Sequence, residues 1–314
     1  MATTNEKLVD AAIRRAVYVH QFGQGIVRSV LGYLDDEVLP DLLARLKWRL
    51  DRIKLRGFDP GPWTTAKYLD LVADAKALLE RGTKAAEKRT ATAMRTLAKA
   101  EAVDTARQLT KATPRPLGIV YKTIDLRAIQ DVVATPAAGA TLGDWWKRLG
   151  ATTQDRVKRA VSLGLGNGLA PQEIVDLVEP GLDLTRSNAS AIVQTFTTHV
   201  STQARERTFA ANADVIKGVQ WITALDVKVC HLCAPNADVV FAIGEGPRPP
   251  LHPNDRCTMV AVTKSFRELG LDRDELPEGT RAAQDGQTTS RSREEWLARQ
   301  PAAIRAAAEK LAKR

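Results

Sequence analysis

From residue 5 to residue 112 the apolar positions recur at helical spacing. Leu8, Ala12 and Ile13 begin a stripe that Val27, Val30, Leu31 and Leu34 continue. Leu39, Leu42, Leu43, Leu46 and Leu50 then fall three and four residues apart, which predicts one buried face on a helix over about 35–50. Pro40 suits the first turn of that helix, where a missing amide costs little. The run Phe58-Asp59-Pro60-Gly61-Pro62 breaks it, because its prolines offer no amide donor and its glycine favours a turn. A further helix starts near Trp63 and Thr64 and runs to about Leu109, with a kink expected near Gly82.

Thr113-Pro114-Arg115-Pro116-Leu117-Gly118 reads as a linker, followed by an extended segment over 119–124 and a second break at 135–139. Thr141 is placed to cap a helix holding Trp145, Trp146 and Leu149. A helix over 154–163 ends at Gly164, Gly166 and Gly168. Pro171 opens a helix with Glu173, Ile174, Leu177 and Val178, and another spans about 187–212. At Val219 the period changes. Val219, Trp221 and Thr223 alternate as a strand does, and 239–243 and 259–262 predict two more strands. The polar stretch 270–292 reads as loop or partly disordered chain. Trp296, Leu297, Ile304 and Leu311 predict a last helix from 293 to about 314.

The fold class expected is mainly α with a small β module (α+β). Its parts are long N-terminal helices, a helical middle region, a small zinc-knuckle-like β-hairpin unit and a C-terminal helix. The expected organisation is a helical N-terminal region at 1–112, a linker at 113–136, a domain at 137–269 with a Cys/His module at 219–262, and a polar loop with C-terminal helix at 270–314.

Composition narrows the class. Hydrophobic residues make up 44% of the 314 positions and aromatics 5%, which excludes a low-complexity chain and disfavours an aromatic-rich β-sandwich. No apolar run approaches the roughly 18 residues of a membrane span, and the start MATTNEKLVD does not read as a signal peptide. Lys and Arg total 46 against 37 Asp and Glu, a net charge of +9 that fits a polyanionic partner such as double-stranded DNA. Arg45, Lys47, Arg49, Arg52, Lys54 and Arg56 concentrate part of that charge on the second helix, where a solvated face competes with a phosphate-binding one.

Three cysteines are too few for a disulfide framework and point to synthesis in a reducing cytoplasm. All three fall in the β module, as Cys230-x2-Cys233 and, after 18 residues, His252-x4-Cys257. A Cys-x2-Cys knuckle offers two thiolates to one tetrahedral ion, and two ligands on a second loop close the site. Cys230, Cys233, His252 and Cys257 are therefore the candidate ligands of a structural zinc, with Asp255 as a substitute ligand. His231 is a poorer candidate, since its side chain should point away from its neighbour's site. The competing reading is three reduced cysteines in an ordinary small core. No H-E-x-x-H or H-x-E motif supplies the general base of a catalytic zinc. Gly164-x-Gly166-x-Gly168 follows a helix, so it is no dinucleotide fingerprint.

Gly218-Val219-Gln220-Trp221-Ile222-Thr223-Ala224-Leu225-Asp226 through Cys230-His231-Leu232-Cys233 resembles the signature of the phage Mu F-like minor head protein family. So does Gly246-Pro247-Arg248-Pro249-Pro250-Leu251-His252-Pro253-Asn254-Asp255-Arg256-Cys257. Thr141-Leu142, Trp145-Trp146, the stretch 161–168, Ile174, Thr195, Thr198, Ala204-Arg205 and Glu295 to Pro301 are similar to elements flanking that signature, so that the resemblance covers about 137–305. Members usually carry a second cysteine where this chain has Asp255, and often Asp-Gly where it has Ala237-Asp238. The resemblance implies a non-enzymatic minor head protein that acts in head morphogenesis at the portal vertex of a tailed bacteriophage. The partners it implies are the portal protein, with scaffolding or major capsid protein and packaged DNA as further candidates and no membrane at assembly. The implied location is the virion, in the head interior or at the portal. The alternatives from the residues themselves are a zinc-stabilised His-Asn-His-type nuclease using His252 and Asn254, or a zinc-containing DNA-binding module.

Overall fold

The computed structural model describes residues 4–54, 62–113, 118–223, 229–270, 281–282, 288–289, 297–298 and 301–312. The architecture is mainly α-helical with one small three-stranded antiparallel sheet and a C-terminal helix. Helix α1 (Thr4–Tyr33) passes through a π-helical turn (Leu34–Val38) into α2 (Leu39–Lys54). The π turn sits just before Pro40, and Leu39 N–H donates to Leu34 O across it. The break expected at Phe58 to Gly61 lies outside the described residues. Helix α3 (Pro62–Ala112) opens on a proline and is continuous through Gly82. That glycine serves close packing, because a Cβ there would lie 2.7 Å from Val38 Cγ1.

Helix α4 (Leu126–Ala134) falls in the stretch expected as a linker. Asp125 caps it by accepting the Ala128 N–H, and Ile129 and Val132 are buried. Two helices expected after Thr141 are one, α5 (Leu142–Gly166), with Thr141 and Asp144 forming a reciprocal capping box. Likewise α6 (Pro171–Ala210) is one helix that runs through Pro180. Buried Val178 and Leu182 flank that proline and hold the helical face despite the lost amide. Among the described residues no helix is long and apolar enough to cross a membrane.

The chain packs as two compact units, each built from separate stretches of sequence. The second unit comprises 24–93 and 139–193. Leu42, Leu46, Leu71, Leu78, Trp146 and Val161 are among its buried residues. The Thr153 and Thr185 hydroxyls pair at 2.8 Å inside it, and Arg186 Nε donates to Asp35 at 2.6 Å.

The first unit comprises 1–23, 94–138 and 194–314. Its sheet has β1 (Ile216–Ile222) at the centre, between β2 (Val240–Phe241) and β3 (Thr258–Thr263). Val219 faces Phe241 on one side and Ala261 on the other, and Trp221 faces Met259. Leu8, Ala12 and Ile13 of α1, Ala106 and Leu109 of α3, Phe209 of α6 and Val219, Trp221 and Met259 of the sheet form one apolar core. Glu101 lies fully buried beside it, accepting Arg15 Nε at 2.6 Å and the Ser201 hydroxyl at 2.8 Å. Asn212 exchanges two hydrogen bonds with the backbone of Lys122, at 2.8 and 2.9 Å, which ties the extended stretch before α4 to the end of α6.

Of the polar 270–292 stretch, Gly270 and the strands β4 (Arg281–Ala282) and β5 (Thr288–Thr289) are described, and the two strands pair antiparallel. The last helix, α7 (Ala302–Ala312), places Ile304 against Ala234 and Ala237, with Leu297 alongside. Trp296, Lys313 and Arg314 lie outside the described residues.

Candidate metal centre

The centre is built from two turns that flank the sheet. The first follows β1 and begins at Cys230, whose carbonyl accepts the N–H groups of Cys233 and Ala234 at 3.2 and 2.9 Å. This tight turn brings the two cysteines of the knuckle to one side. A short 3₁₀ turn (Ala234–Asn236) continues it, with Pro235 in its first turn. The signature residues 224–228, including Asp226, lie outside the described residues.

The second turn leads into β3. Asp255 organises it, with Oδ2 accepting Leu251 N–H at 2.8 Å and Oδ1 accepting Cys257 N–H at 2.9 Å. Asn254 takes a left-handed backbone conformation there, at φ 60°, and its N–H donates to Thr195 Oγ1 at 3.3 Å. Thr198 Oγ1 donates to the Asp255 carbonyl at 2.7 Å, so α6 supports the loop from beneath.

The two turns converge. His252 Nε2 lies 3.1 Å from Cys230 Sγ and 3.4 Å from Cys233 Sγ. Cys233 Sγ is 3.6 Å from Asp255 Oδ2. Cys230, Cys233 and His252 make one potential ligand group, and Cys233, Asp255 and Cys257 a second that shares Cys233, with all ligand atoms in each within 4.8 Å of one another. All five candidate residues named from the spacing are therefore together, while His231 is exposed and stands in neither group.

The imidazole is set for coordination. His252 Nδ1 lies 2.8 Å from the Pro253 carbonyl, an acceptor, so Nδ1 carries the hydrogen. Burial opposes protonation of the ring, but the Pro253 carbonyl, Cys233 and Asp255 together raise its pKa; in the neutral form that binds a metal, the Nε2 lone pair faces the sulfurs. The Cys257 thiol shares a hydrogen bond with Cys233, which lowers the Cys233 pKa below the ordinary thiol value and raises that of Cys257. Burial pushes Cys257 in the same upward direction. A thiolate is thus favoured at the sulfur common to both groups.

Cys230, Cys233 and His252 fit three positions of a tetrahedral ion, and Cys257 and Asp255 stand beside Cys233 as candidates for the fourth. Zn–S near 2.3 Å and Zn–N near 2.0–2.1 Å set sulfur and nitrogen about 3.5 Å apart around the metal. The two observed S–N separations, 3.1 and 3.4 Å, need little adjustment to match. Asp255 already accepts two amides and lies at the edge of the cluster, where it fixes the loop that carries His252 and Cys257.

Arg248 had no signal in the sequence beyond its place among prolines. Its guanidinium donates to the carbonyls of Pro247 and Ala242 at 3.0 and 3.1 Å and pairs through Nε with Glu206 Oε1 at 2.8 Å. Burial raises the Glu206 pKa and the Arg248 charge opposes that rise. The pair anchors the loop upstream of His252 to α6.

Of the basic cluster, Arg56 and the Lys54 side chain lie outside the described residues, and the three other arginines are engaged locally. In α2, Arg45 Nε donates to Asp41 at 2.7 Å and Arg49 pairs with Asp74. Arg52 lies over the Trp48 ring at 4.3 Å. Much of the basic cluster is thus engaged within its own unit. Trp146 is buried at 1% exposure and Trp145 only partly, so the two neighbours face different surroundings. Comparison with protein-family models, with curated proteins and with solved structures returned no match for this chain.

Proposed function

We propose that this chain is a minor head protein of a tailed bacteriophage, in which Cys230, Cys233, His252 and Cys257 hold one structural zinc ion. The observation that carries this reading is the approach of His252 to Cys230 and Cys233, with Cys257 joined to the same Cys233 in a second group, from the two stretches that resemble the Mu F-like signature. The ion would join the knuckle to the loop before β3, and so brace a sheet with one two-residue edge strand. The role proposed is in head morphogenesis at the portal vertex, with the portal protein as principal partner and packaged DNA as a second contact. Scaffolding or major capsid protein would be a further neighbour, and the site of action is the virion.

A structural role for the centre agrees with the state of His252. One ring nitrogen is held by the Pro253 carbonyl and the other faces two sulfurs, which leaves neither to act as a general base. The test is co-sedimentation with purified portal oligomers, paired with plasmid nicking in Mg²⁺ or Mn²⁺. Binding to the portal without nicking is expected. Cleavage abolished by His252→Ala, with no affinity for the portal, would replace this reading with the nuclease one.

A further inference from the structure

The first unit contains a polar cavity that the metal centre does not use. It holds about 200 Å³ and is lined by α1, α6 and the residues that enter β3. Its polar wall consists of His20 and Gln21 from α1, Thr198, Ser201 and Thr202 from α6, and Arg256. Ala16, Val17 and Val19 supply apolar wall.

The polar groups divide in two. Thr198 and Ser201 spend their hydroxyl hydrogens on the fold, on the Asp255 carbonyl at 2.7 Å and on Glu101 at 2.8 Å. His20, Gln21 and Thr202 make no side-chain hydrogen bond to any described residue. Thr202 is 2% exposed and lines the cavity, where its hydroxyl is left for water or a bound group.

The charge in the cavity has one sign. Among the described residues, Arg256 is the only charged one lining it. Burial, and after it the Arg256 cation, hold the His20 pKa below its ordinary value, so the ring is a neutral donor near pH 7. The donors come from three separate segments of the lining, with Thr202 buried, Arg256 half-buried and His20 and Gln21 exposed. A planar carboxylate would be served by the guanidinium fork alone, whereas a tetrahedral anion offers acceptors in every direction that these donors occupy.

We propose that this cavity binds a phosphate-type oxyanion, as a phosphomonoester or phosphodiester, through Arg256, Thr202, Gln21 and His20. The site needs neither a portal nor metal chemistry, so it stands or falls apart from the function proposed above.

The test uses the full chain, as purified, at constant ionic strength held with chloride. Inorganic phosphate is titrated while the imidazole resonances are followed by NMR, with His20→Gln identifying the His20 signals. A saturable shift of the His20 resonances is expected. Thr202→Val and Arg256→Gln should each weaken it by at least about tenfold, the loss of one donor to an anion. Arg256 neighbours the metal centre, so Gln21→Ala is the third variant, and thermal melts report whether each variant folds. A second arm competes phosphate with a dinucleotide and with a short duplex. Displacement by both assigns the site to the backbone of nucleic acid, and displacement by neither assigns it to a free phosphate or monoester. The proposal is overturned if phosphate, dinucleotide and duplex all leave His20 unshifted, or if the shift persists undiminished in folded Thr202→Val and Gln21→Ala.

Discussion

Asp255 holds Cys257 in place by accepting its backbone N–H at 2.9 Å, while the other oxygen of the same carboxylate accepts Leu251 N–H at 2.8 Å. One buried side chain therefore sets the loop from which both His252 and Cys257 project. Asp255→Ala strands two backbone donors at about 1–3 kcal/mol each. It should also weaken metal affinity about 10- to 100-fold, as loss of a supporting contact does. Asp255→Asn retains an acceptor and should lose less of both. Competition with a chromogenic chelator and urea denaturation measure the two effects. Unchanged metal retention in Asp255→Ala would show that the loop is held by other means.

Metal removal should act on stability, since Cys233 and Cys257 belong to the same apolar core as Val219 and Trp221. Elemental analysis is expected to find about one zinc per chain. A strong chelator, or Cys233→Ser, should lower the melting temperature and loosen the sheet, visible as loss of the near-ultraviolet signal of buried Trp221. Protein free of zinc that folds identically in chelator would assign the cysteines to ordinary packing.

His199 gives the fold a pH dependence of fixed sign. Its ring is 5% exposed and Nε2 lies 3.1 Å from the Thr135 carbonyl. Burial lowers its pKa, and the contact with that carbonyl opposes the shift. Below about pH 6.5 the unfolded chain takes up a proton that the folded ring refuses. Stability is therefore full above that value and declines as the pH falls toward the lowered native pKa, by at most about 1.4 kcal/mol per pH unit. Urea midpoints at pH 5 and 7.5 should differ less in His199→Gln than in the wild type. An identical difference in the two proteins would remove His199 as the source.

Three glycines at the end of α5 should respond differently to alanine. A Cβ on Gly164 would lie 2.5 Å from Ile174 Cγ1, so Gly164→Ala should cost about 1–3 kcal/mol by overpacking. Gly168 has φ 68°, a left-handed conformation that costs an alanine about 1–2 kcal/mol. Gly166 is the last helical residue and has nothing within 4 Å of its ideal Cβ. Gly166→Ala should therefore be neutral or stabilise by up to about 1 kcal/mol through helix propensity. Melting temperatures of the three variants test the order, and a Gly164→Ala protein as stable as the wild type would break it.

The fold class was legible because long helices announce themselves by period, and the change of period at Val219 marked the sheet. What the period does not carry is continuity. Gly82 reads as a kink and the stretch between Val178 and Ser187 as a gap between two helices, yet both lie inside unbroken helices. Gly82 is there because Val38 comes close, and Val38 lies on another helical segment that the local sequence does not reveal. Helix α4 went unread because it is nine residues long and its signal is one cap, Asp125. In the candidate site, the spacing of Cys-x2-Cys and His-x4-Cys picked out residues that the fold gathers into two overlapping groups able to hold a metal ion. Its supports were not legible in this way. Thr198 and Glu206 reach the loops from α6 across 57 and more than 40 positions, and nothing in their own surroundings in the sequence marks them.

Asn5, in the first turns of α1, accepts the backbone and hydroxyl of Thr263 at 3.1 and 3.0 Å across 258 positions. A contact of that span has a temporal meaning. As the chain leaves the ribosome, the Leu8, Ala12 and Ile13 face of α1 must wait for β1 and β3 to be synthesised before it is covered. The first unit therefore folds late, since the loops that cover this face close only once β3 has been made. A chain stalled before residue 258 would hold exposed apolar surface that invites chaperones or proteases. Efficient recovery of the protein should depend more on the speed of that final closure than on the stability of any helix.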